Sequence, residues 1–89
     1  MRWSVYILEC ADGTYYTGIS NDVDKRIAAH AAGTGAKYTR GRGPFRLAYC
    51  EECGDRAAAS RREMEIKSLP RKAKDDLIGR HASGRADAD

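Results

Sequence analysis

The chain has 89 residues, of which 42% are hydrophobic and 33% are charged, and its formal net charge is +3. A chain of this length forms one domain, and its apolar content is too high for an intrinsically disordered protein. It contains no run of about 20 apolar residues, which excludes a membrane-spanning helix. The N-terminus has no signal-peptide pattern, so we expect a cytoplasmic protein. Three cysteines are too few for a disulfide framework.

Positive charge is concentrated in the middle of the chain. Between Asn21 and Tyr49 only two acidic residues accompany the basic ones, which are Lys25, Arg26, Lys37, Arg40, Arg42 and Arg46. An asymmetry of this kind indicates a polyanionic partner such as nucleic acid, and a solvated loop without a ligand is the alternative.

The first part of the chain predicts a β-hairpin followed by a helix. Residues 3–9 are rich in β-branched and aromatic types, Asp12-Gly13 is a hairpin turn signal, and residues 15–19 predict the returning strand. The segment 20–22 is typical of a helix N-cap, and Gly33 predicts the end of that helix. The apolar positions that predict its buried face are Val23, Ile27, Ala28 and Ala31.

A loop, a strand and a second helix follow. Residues 33–44 are rich in glycine and basic residues and predict a flexible cationic loop. Residues 45–50 alternate like a strand, with Phe45, Leu47 and Tyr49 expected on one face. Asp55 is the expected N-cap of the second helix. The expected buried positions of this helix are Ala58, Ala59, Met64, Ile66 and Leu69.

Pro70 ends the second helix and begins a short third helix over Arg71–Gly79. The tail of residues 81–89 is polar and rich in small residues, so we expect it to be disordered. The predicted order is therefore β-β-α-β-α-α. It corresponds to an α+β (α/β) domain over residues 1–80, in which the first two strands form an antiparallel hairpin, a third strand joins them after the first helix, and the later helices cover one face.

Five residues are candidates for chemistry, and each also has a purely structural interpretation. Tyr6 and Tyr16 lie in the two hairpin strands, where paired aromatic residues are common. Arg26 and His30 are spaced i and i+4 on one helix face. A solvent-exposed face without a function is the structural interpretation of this spacing. Glu63 lies four residues before a lysine, the spacing of an ordinary helical ion pair.

The combination and order of these residues resemble the GIY-YIG nuclease family. Ser4-Val5-Tyr6 stands where that family has its first motif, and Tyr16-Thr17-Gly18 stands where it has the second. Arg26 and His30 look like the family's helix arginine with a histidine one turn later, and Glu63 looks like its metal-binding glutamate. The resemblance covers about residues 3–80 and is to the small stand-alone bacterial members of the family.

The resemblance implies the GIY-YIG fold, with a three-stranded antiparallel sheet flanked by helices, and a metal-dependent endonuclease. Tyr6 would act as a base or orient the attacking water, and Tyr16 would be a second hydroxyl at the phosphate. Arg26 would contact the scissile phosphate, His30 would share proton transfer, and Glu63 would hold one Mg²⁺ or Mn²⁺ ion. A phenol has a pKa near 10, so Tyr6 is a poor base unless nearby cations lower that value.

The substrate that we expect is DNA rather than RNA, single-stranded or structured rather than a specific duplex sequence, in repair or recombination. The candidates for contacts with its backbone and bases are Lys25, Lys37, Tyr38, Arg40 and Arg42. Larger members of the family carry a further polar residue after the metal glutamate, often asparagine, and no asparagine follows Asn21 here. That absence keeps open the alternative that the protein is a nucleic-acid-binding module with the nuclease fold but little catalytic activity.

The small size of the domain leaves a further alternative, a subunit that needs a partner protein for activity. In either case we expect a monomer or a weak homodimer. An enzyme is expected to bring Tyr6, Tyr16, Arg26, His30 and Glu63 around one basic pocket. A binding module is expected to present a charged face without that convergence.

Overall fold

The computed structural model describes the backbone of residues 2–88 and the side chains of residues 2–80. The described elements follow the predicted order. The strands are β1 (Trp3–Glu9), β2 (Tyr15–Ser20) and β3 (Arg46–Gly54), and the helices are α1 (Val23–Ala31), α2 (Arg56–Lys67) and α3 (Arg71–Ala88). A short 3₁₀ helix, Lys37–Thr39, lies in the loop between α1 and β3. The predicted three-stranded antiparallel sheet flanked by helices is confirmed.

Strand β1 is the centre of the sheet, which has the order β2-β1-β3 with both pairings antiparallel. Tyr6 pairs with Gly18 and Leu8 pairs with Tyr16. Residues paired across a sheet point to the same face, and neighbours along a strand point to opposite faces. Tyr6 and Tyr16 therefore share one face of the sheet as diagonal neighbours, and Val5 and Ile7 point to the other.

The hydrophobic core lies on the Val5 and Ile7 side of the sheet. There Val5, Ile7, Tyr49 and Ile66 form a buried cluster, and Leu77 and Ile78 of α3 pack against it. Helices α2 and α3 therefore cover this face. Because β1 is also covered on its second face, its residues from Val5 to Leu8 are all 0% exposed.

Helix α2 begins at the predicted N-cap, but its buried face differs from the prediction. Asp55 is the N-cap, and its carboxylate accepts a hydrogen bond of 2.8 Å from the Ala58 backbone N–H. Ala59 and Ile66 are buried, whereas Met64 is 67% exposed, so its predicted burial is wrong. The inward stripe runs from Ala59 through Glu63 to Ile66 at helical spacing, and this places Met64 on the outer side.

Helix α1 turns a partly polar face inward. Ala28 and Ala31 are exposed, so their predicted burial is wrong, and the buried residue of the helix is His30. Arg26, one turn before His30, is half-buried. The helix ends at Ala31 with Ala32 as its C-cap, and Gly33, which predicts this end, follows with a φ of +80°, where side chains are disfavoured.

Strand β3 differs from its predicted alternation because it contains a β-bulge. Ile7 pairs with Tyr49 but Leu8 pairs with Leu47, so Ala48 is an extra residue between the two pairs. Leu47 and Tyr49 consequently point to opposite faces, and Leu47 is 38% exposed. The expectation that these two side chains share a face is wrong.

Helix α3 continues to Ala88, beyond the predicted end at Gly79. A glycine without positive φ weakens a helix but does not end it, and the alanines that follow favour continuation. The predicted disorder of residues 81–89 stays a prediction, and Asp89 lies outside the described residues. The cysteines are all free. Within the described chain, no helix combines the length and apolar character that crossing a membrane requires.

Ile66 and Met64 provide a matched test of which side of α2 faces the core. Ile66→Ala removes a side chain that contacts the buried cluster, and we expect a loss of about 2–5 kcal/mol in the free energy of unfolding. Met64→Ala changes an exposed position, and we expect a change within about 0.5 kcal/mol. Urea unfolding followed by circular dichroism measures both, and equal losses would contradict this orientation of α2.

Candidate active site

Tyr6 of β1 and His30 of α1 meet on the sheet face opposite the core. The Tyr6 hydroxyl lies 2.9 Å from Nε2 of His30, and both residues are buried, with exposures of 0% and 1%. The spacing from the helix N-cap at Asp22 places His30 two turns along α1, on its inner side. The structure thus brings together two of the predicted site residues in direct contact.

The hydrogen bonds around His30 determine which ring nitrogen carries the proton. The Thr39 hydroxyl donates to the Ala36 carbonyl at 2.8 Å, so it accepts at its contact of 2.8 Å with His30 Nδ1. Nδ1 therefore carries the proton, and Nε2 of the neutral imidazole is the acceptor. The Tyr6 hydroxyl consequently donates to His30. The chain of donors runs from Tyr6 through His30 and Thr39 to the Ala36 carbonyl.

Two glycines make room for this pair of side chains. A Cβ atom on Gly18 would come within 2.7 Å of the Tyr6 hydroxyl, and a Cβ atom on Gly35 would overlap the His30 ring. Gly18 is the last residue of the second sequence motif. Its close approach to Tyr6 explains why this position of the motif requires glycine. Sequence reasoning did not single out Gly35.

Aromatic rings extend from the buried pair towards the surface. The Tyr16 ring centroid lies 5.1 Å from that of His30 and 6.4 Å from that of Tyr6. Tyr38 stacks on Tyr16 with a centroid distance of 6.0 Å and an interplanar angle of 25°, and it is 43% exposed. The predicted site tyrosines and Tyr38 therefore form one continuous cluster around His30.

Burial dominates the electrostatics of Tyr6. Desolvation and the neighbouring Tyr16 raise the pKa of Tyr6 to about 12, and Glu63 adds to the rise. Arg26 beside Tyr6 lowers this pKa but only offsets part of the rise. The condition under which Tyr6 would be a good base, a pKa lowered by nearby cations, is therefore not met in the free protein. Tyr6 is a neutral hydroxyl in the free protein, in agreement with its donation to His30.

Burial and the Arg26 charge both lower the pKa of His30 below its ordinary value of 6.5. His30 is therefore neutral at pH 7. Arg26 takes part in no ion pair among the described side chains, so its guanidinium is available to an anion. A shallow groove beside it is lined by Lys25, Asn21 and the N-terminal turn of α1.

Glu63 approaches the site from α2. Its side chain is 20% exposed, and its charge acts on Tyr6. Lys67 pairs with it at 3.4 Å, so the ordinary i,i+4 ion pair of the sequence analysis is present. No cluster of three or more metal-binding side chains occurs among the described residues. A single carboxylate is a hard oxygen ligand that suits Mg²⁺ or Mn²⁺ when other ligands come from elsewhere.

The basic loop is folded back towards the site instead of extending freely. Thr39 is buried under His30, and the Arg42 guanidinium pairs with Asp12 and lies 4.4 Å from the Tyr38 ring centroid. Arg42 also donates to the Tyr38 carbonyl at 2.7 Å. Internal contacts therefore occupy Arg42, whereas Lys37 and Arg40 are exposed.

Sequence reasoning missed Thr39, which is 1% exposed and bonded directly to His30. Its neighbours in the sequence are glycines and basic residues that are typical of a loop, so no periodic pattern pointed to it. Its position eight residues after the end of α1 becomes meaningful only when the 3₁₀ helix brings it back over His30.

Comparison with known proteins assigns this domain to a family of nucleases. The family model described as the GIY-YIG catalytic domain matches residues 2–76. The chain belongs to the GIY-YIG family, which is made of endonucleases that generally depend on a divalent metal ion. Membership implies binding to nucleic acid.

The relatives are small proteins that consist mostly of this domain. A UPF0213 protein of Halalkalibacterium halodurans, BH0048, is 54% identical over 78 residues, which cover 88% of this chain and 83% of that protein. A UPF0213 protein of Halobacterium salinarum is 53% identical over 74 residues, covering 83% of this chain and 96% of the relative. The solution NMR structure of the protein EF2693 from E. faecalis is 33% identical, covers 89% of this chain and 84% of that one, and has a TM-score of 0.62.

Replacement of Thr39 tests the assignment of the His30 proton. Thr39→Val keeps the shape but leaves the His30 Nδ1–H without its acceptor, and we expect a loss of about 1–3 kcal/mol in stability. We also expect a larger fraction of the other tautomer, measured from the imidazole ¹⁵N chemical shifts. Thr39→Ser keeps the hydroxyl and should retain the wild-type shifts, and unchanged shifts in Thr39→Val would contradict the assignment.

The lowered pKa of His30 predicts how stability depends on pH. Below about pH 6.5 the unfolded chain protonates His30 but the folded chain does not, so stability decreases as the pH falls from 6.5 to the lower folded pKa. An NMR titration of the imidazole should give a pKa below 6.5, and a His81→Ala variant assigns its signals because the chain has two histidines. A pKa for His30 above 6.5 would contradict the prediction.

Proposed function

We propose that the protein is a metal-dependent endonuclease that hydrolyses phosphodiester bonds in DNA, on single-stranded or structured substrates of repair or recombination. The observation that carries this proposal is the buried hydrogen bond from Tyr6 to His30, with Arg26 beside it. A neutral hydroxyl in contact with a neutral imidazole is a path along which a proton leaves an attacking water.

The proton path has two steps. As the water attacks phosphorus, the Tyr6 oxygen accepts the proton of the water and the Tyr6 hydroxyl proton passes to His30 Nε2. No free phenolate is required, which agrees with the raised pKa of Tyr6. The hydrogen bond from His30 Nδ1–H to Thr39 keeps Nε2 free to accept, so Thr39 supports His30 without touching the substrate.

The charge that develops on the phosphoryl oxygens needs fixed positive groups. Arg26 is the charged group beside Tyr6 without an ion pair among the described side chains, and its guanidinium suits two phosphate oxygens. The Tyr16 hydroxyl is a second donor from the same cluster, and Lys25 lies next to Arg26 on the exposed side of α1. These positions support the roles that the family resemblance implies.

Glu63 is the residue that would hold the divalent ion, together with water and phosphate oxygens. When bound, the ion would stabilise charge on the phosphate and the leaving oxygen. The Glu63 carboxylate meets Lys67 in the free protein, so its charge is already compensated before an ion is present. A single protein ligand implies weak ion binding that strengthens when substrate oxygens are present.

Tyr6 is entirely buried, and therefore its hydroxyl is reached only when the substrate displaces part of the cover above it. Tyr16 and the 3₁₀ helix with Tyr38 form the partly exposed side of the aromatic cluster. We place the opening at these residues. A flexible or unpaired strand fits between them more easily than a rigid duplex, which favours single-stranded or structured substrates.

Cleavage of labelled single-stranded, duplex and flap DNA and of RNA, with Mg²⁺, Mn²⁺ or EDTA, tests the proposal. We expect metal-dependent cleavage of at least one DNA substrate. Tyr6→Phe removes the proton carrier, and we expect a loss of about 100- to 10,000-fold in kcat/KM. Glu63→Ala should abolish the dependence of the rate on Mg²⁺ or Mn²⁺ together with most of the activity.

Two control variants separate chemistry from folding. Tyr49→Phe removes a phenolic hydroxyl on the core side of the sheet, and Glu65→Ala removes an exposed carboxylate of α2, so both should keep the wild-type rate. Binding of DNA without cleavage in any metal would contradict the nuclease proposal and favour the nucleic-acid-binding module. Cleavage that appears only with an added protein would favour a partner-dependent subunit.

A further inference from the structure

A groove continues from the proposed active site along the free edge of strand β2. It has a volume of about 330 Å³ and begins at Tyr16, the residue that connects it to Tyr6 and His30. Strand β2 is at the edge of the sheet, so no further strand covers this side. The residues that line the groove are Tyr15, Tyr16, Thr17, Tyr38, Lys67 and Lys74.

One of the two lysine charges in the groove has no partner among the described residues. The six lining residues include no carboxylate. Lys67 already pairs with Glu63, but Lys74 of α3 is half-buried and has no hydrogen bond or ion pair from its side chain among the described residues. A half-buried ammonium group without a partner is stabilised by an anion, and a phosphate group supplies one.

The aromatic wall of the groove points to unpaired nucleotides. Tyr38 is 43% exposed and extends the ring cluster of Tyr16 outward. Every base has a flat face that packs on aromatic side chains, but a duplex hides these faces inside its base stack. A groove with an aromatic wall and a free lysine therefore favours single strands over duplexes.

We propose that this groove binds the unpaired strand next to the cleaved bond, with Lys74 on a phosphate and Tyr38 against a base. This inference rests on the proposed function, because it takes the scissile phosphate to lie at Tyr16. The continuity of the groove with the Tyr6 and His30 pair supports it. Lys74 lies outside the motifs that carry the family resemblance.

Binding of a fluorescent single-stranded oligonucleotide in EDTA tests the groove without cleavage. We expect Lys74→Ala to weaken binding about fivefold and to reduce the slope of log K against log salt by about 0.7, the contribution of one phosphate contact on a single strand. The matched control is Lys72→Ala, an exposed lysine of the same helix, which should change the affinity less than about twofold. Lys74→Arg keeps the charge and should bind like the wild type.

A second measurement does not depend on any variant. Titration of the wild-type protein with a short oligothymidine should shift the backbone amide signals of Thr17, Tyr38 and Lys74 more than that of Lys72. Tyr38→Leu should weaken binding to the single strand about tenfold and to a blunt duplex of the same sequence less than about twofold. Equal losses on both substrates would overturn the preference for unpaired nucleotides.

The outcomes for the groove and for the nuclease are distinguishable. If the wild type binds but cleaves nothing, and Lys74→Ala binds more weakly than Lys72→Ala, the groove is supported although the nuclease proposal fails. If the protein cleaves DNA and Lys74→Ala has the wild-type affinity, salt slope and KM, the groove is overturned and the nuclease stands. If Lys74→Ala and Lys72→Ala weaken binding equally, a general effect of charge explains the result, and the groove is overturned.

Discussion

The hydrogen bond between Tyr6 and His30 is the contact on which the other parts of the site depend. It joins the central strand to α1 with two buried side chains, so each needs a partner for every polar atom. Thr39 supplies the remaining partner of His30 and thereby holds the 3₁₀ helix against α1. Gly18 and Gly35 leave the space for the two rings. These buried hydrogen bonds, together with the contacts of Arg42 with Asp12 and Ala11, hold the glycine-rich loop against the domain.

This arrangement divides a thin sheet into a face for stability and a face for chemistry. Val5 and Ile7 alternate with Tyr6 and Leu8 along the same strand, so β1 contributes to both. The apolar cluster under α2 and α3 is small, as expected for a chain of this length. The opposite face has aromatic rings where an ordinary core would have aliphatic residues. Hydrogen bonds between Tyr6, His30 and Thr39 therefore contribute both to the fold and to the site.

Local patterns were sufficient to predict the order of elements, the hairpin with its Asp12-Gly13 turn and the Asp55 cap, whereas the antiparallel sheet of three strands was implied by the family resemblance. The faces of the helices were harder to predict, because hydrophobic periodicity assumes that inward positions are apolar. In α1 the buried position belongs to His30, and the predicted burial of Ala28 and Ala31 is wrong. In α2 Glu63 lies on the inward stripe, and Met64 was assigned to the wrong side. The bulge at Ala48 and the return of Thr39 to His30 depend on tertiary contacts, which no local pattern contains.

The electrostatics of the Tyr6 and His30 pair explain why the proton stays on Tyr6 in the free protein. Burial raises the pKa of Tyr6 and lowers that of His30, so both effects favour the neutral forms. Moving a proton from Tyr6 to His30 would create two charges in a desolvated place, which is unfavourable without compensation. A bound substrate would change this balance. The Tyr6 oxygen would take the proton of the attacking water as it gives up its own, so the imidazolium of His30 would be the one charge left on the pair, and the nearby phosphate anion would stabilise it. In this proposed mechanism the substrate completes the electrostatic environment that the protein alone does not have.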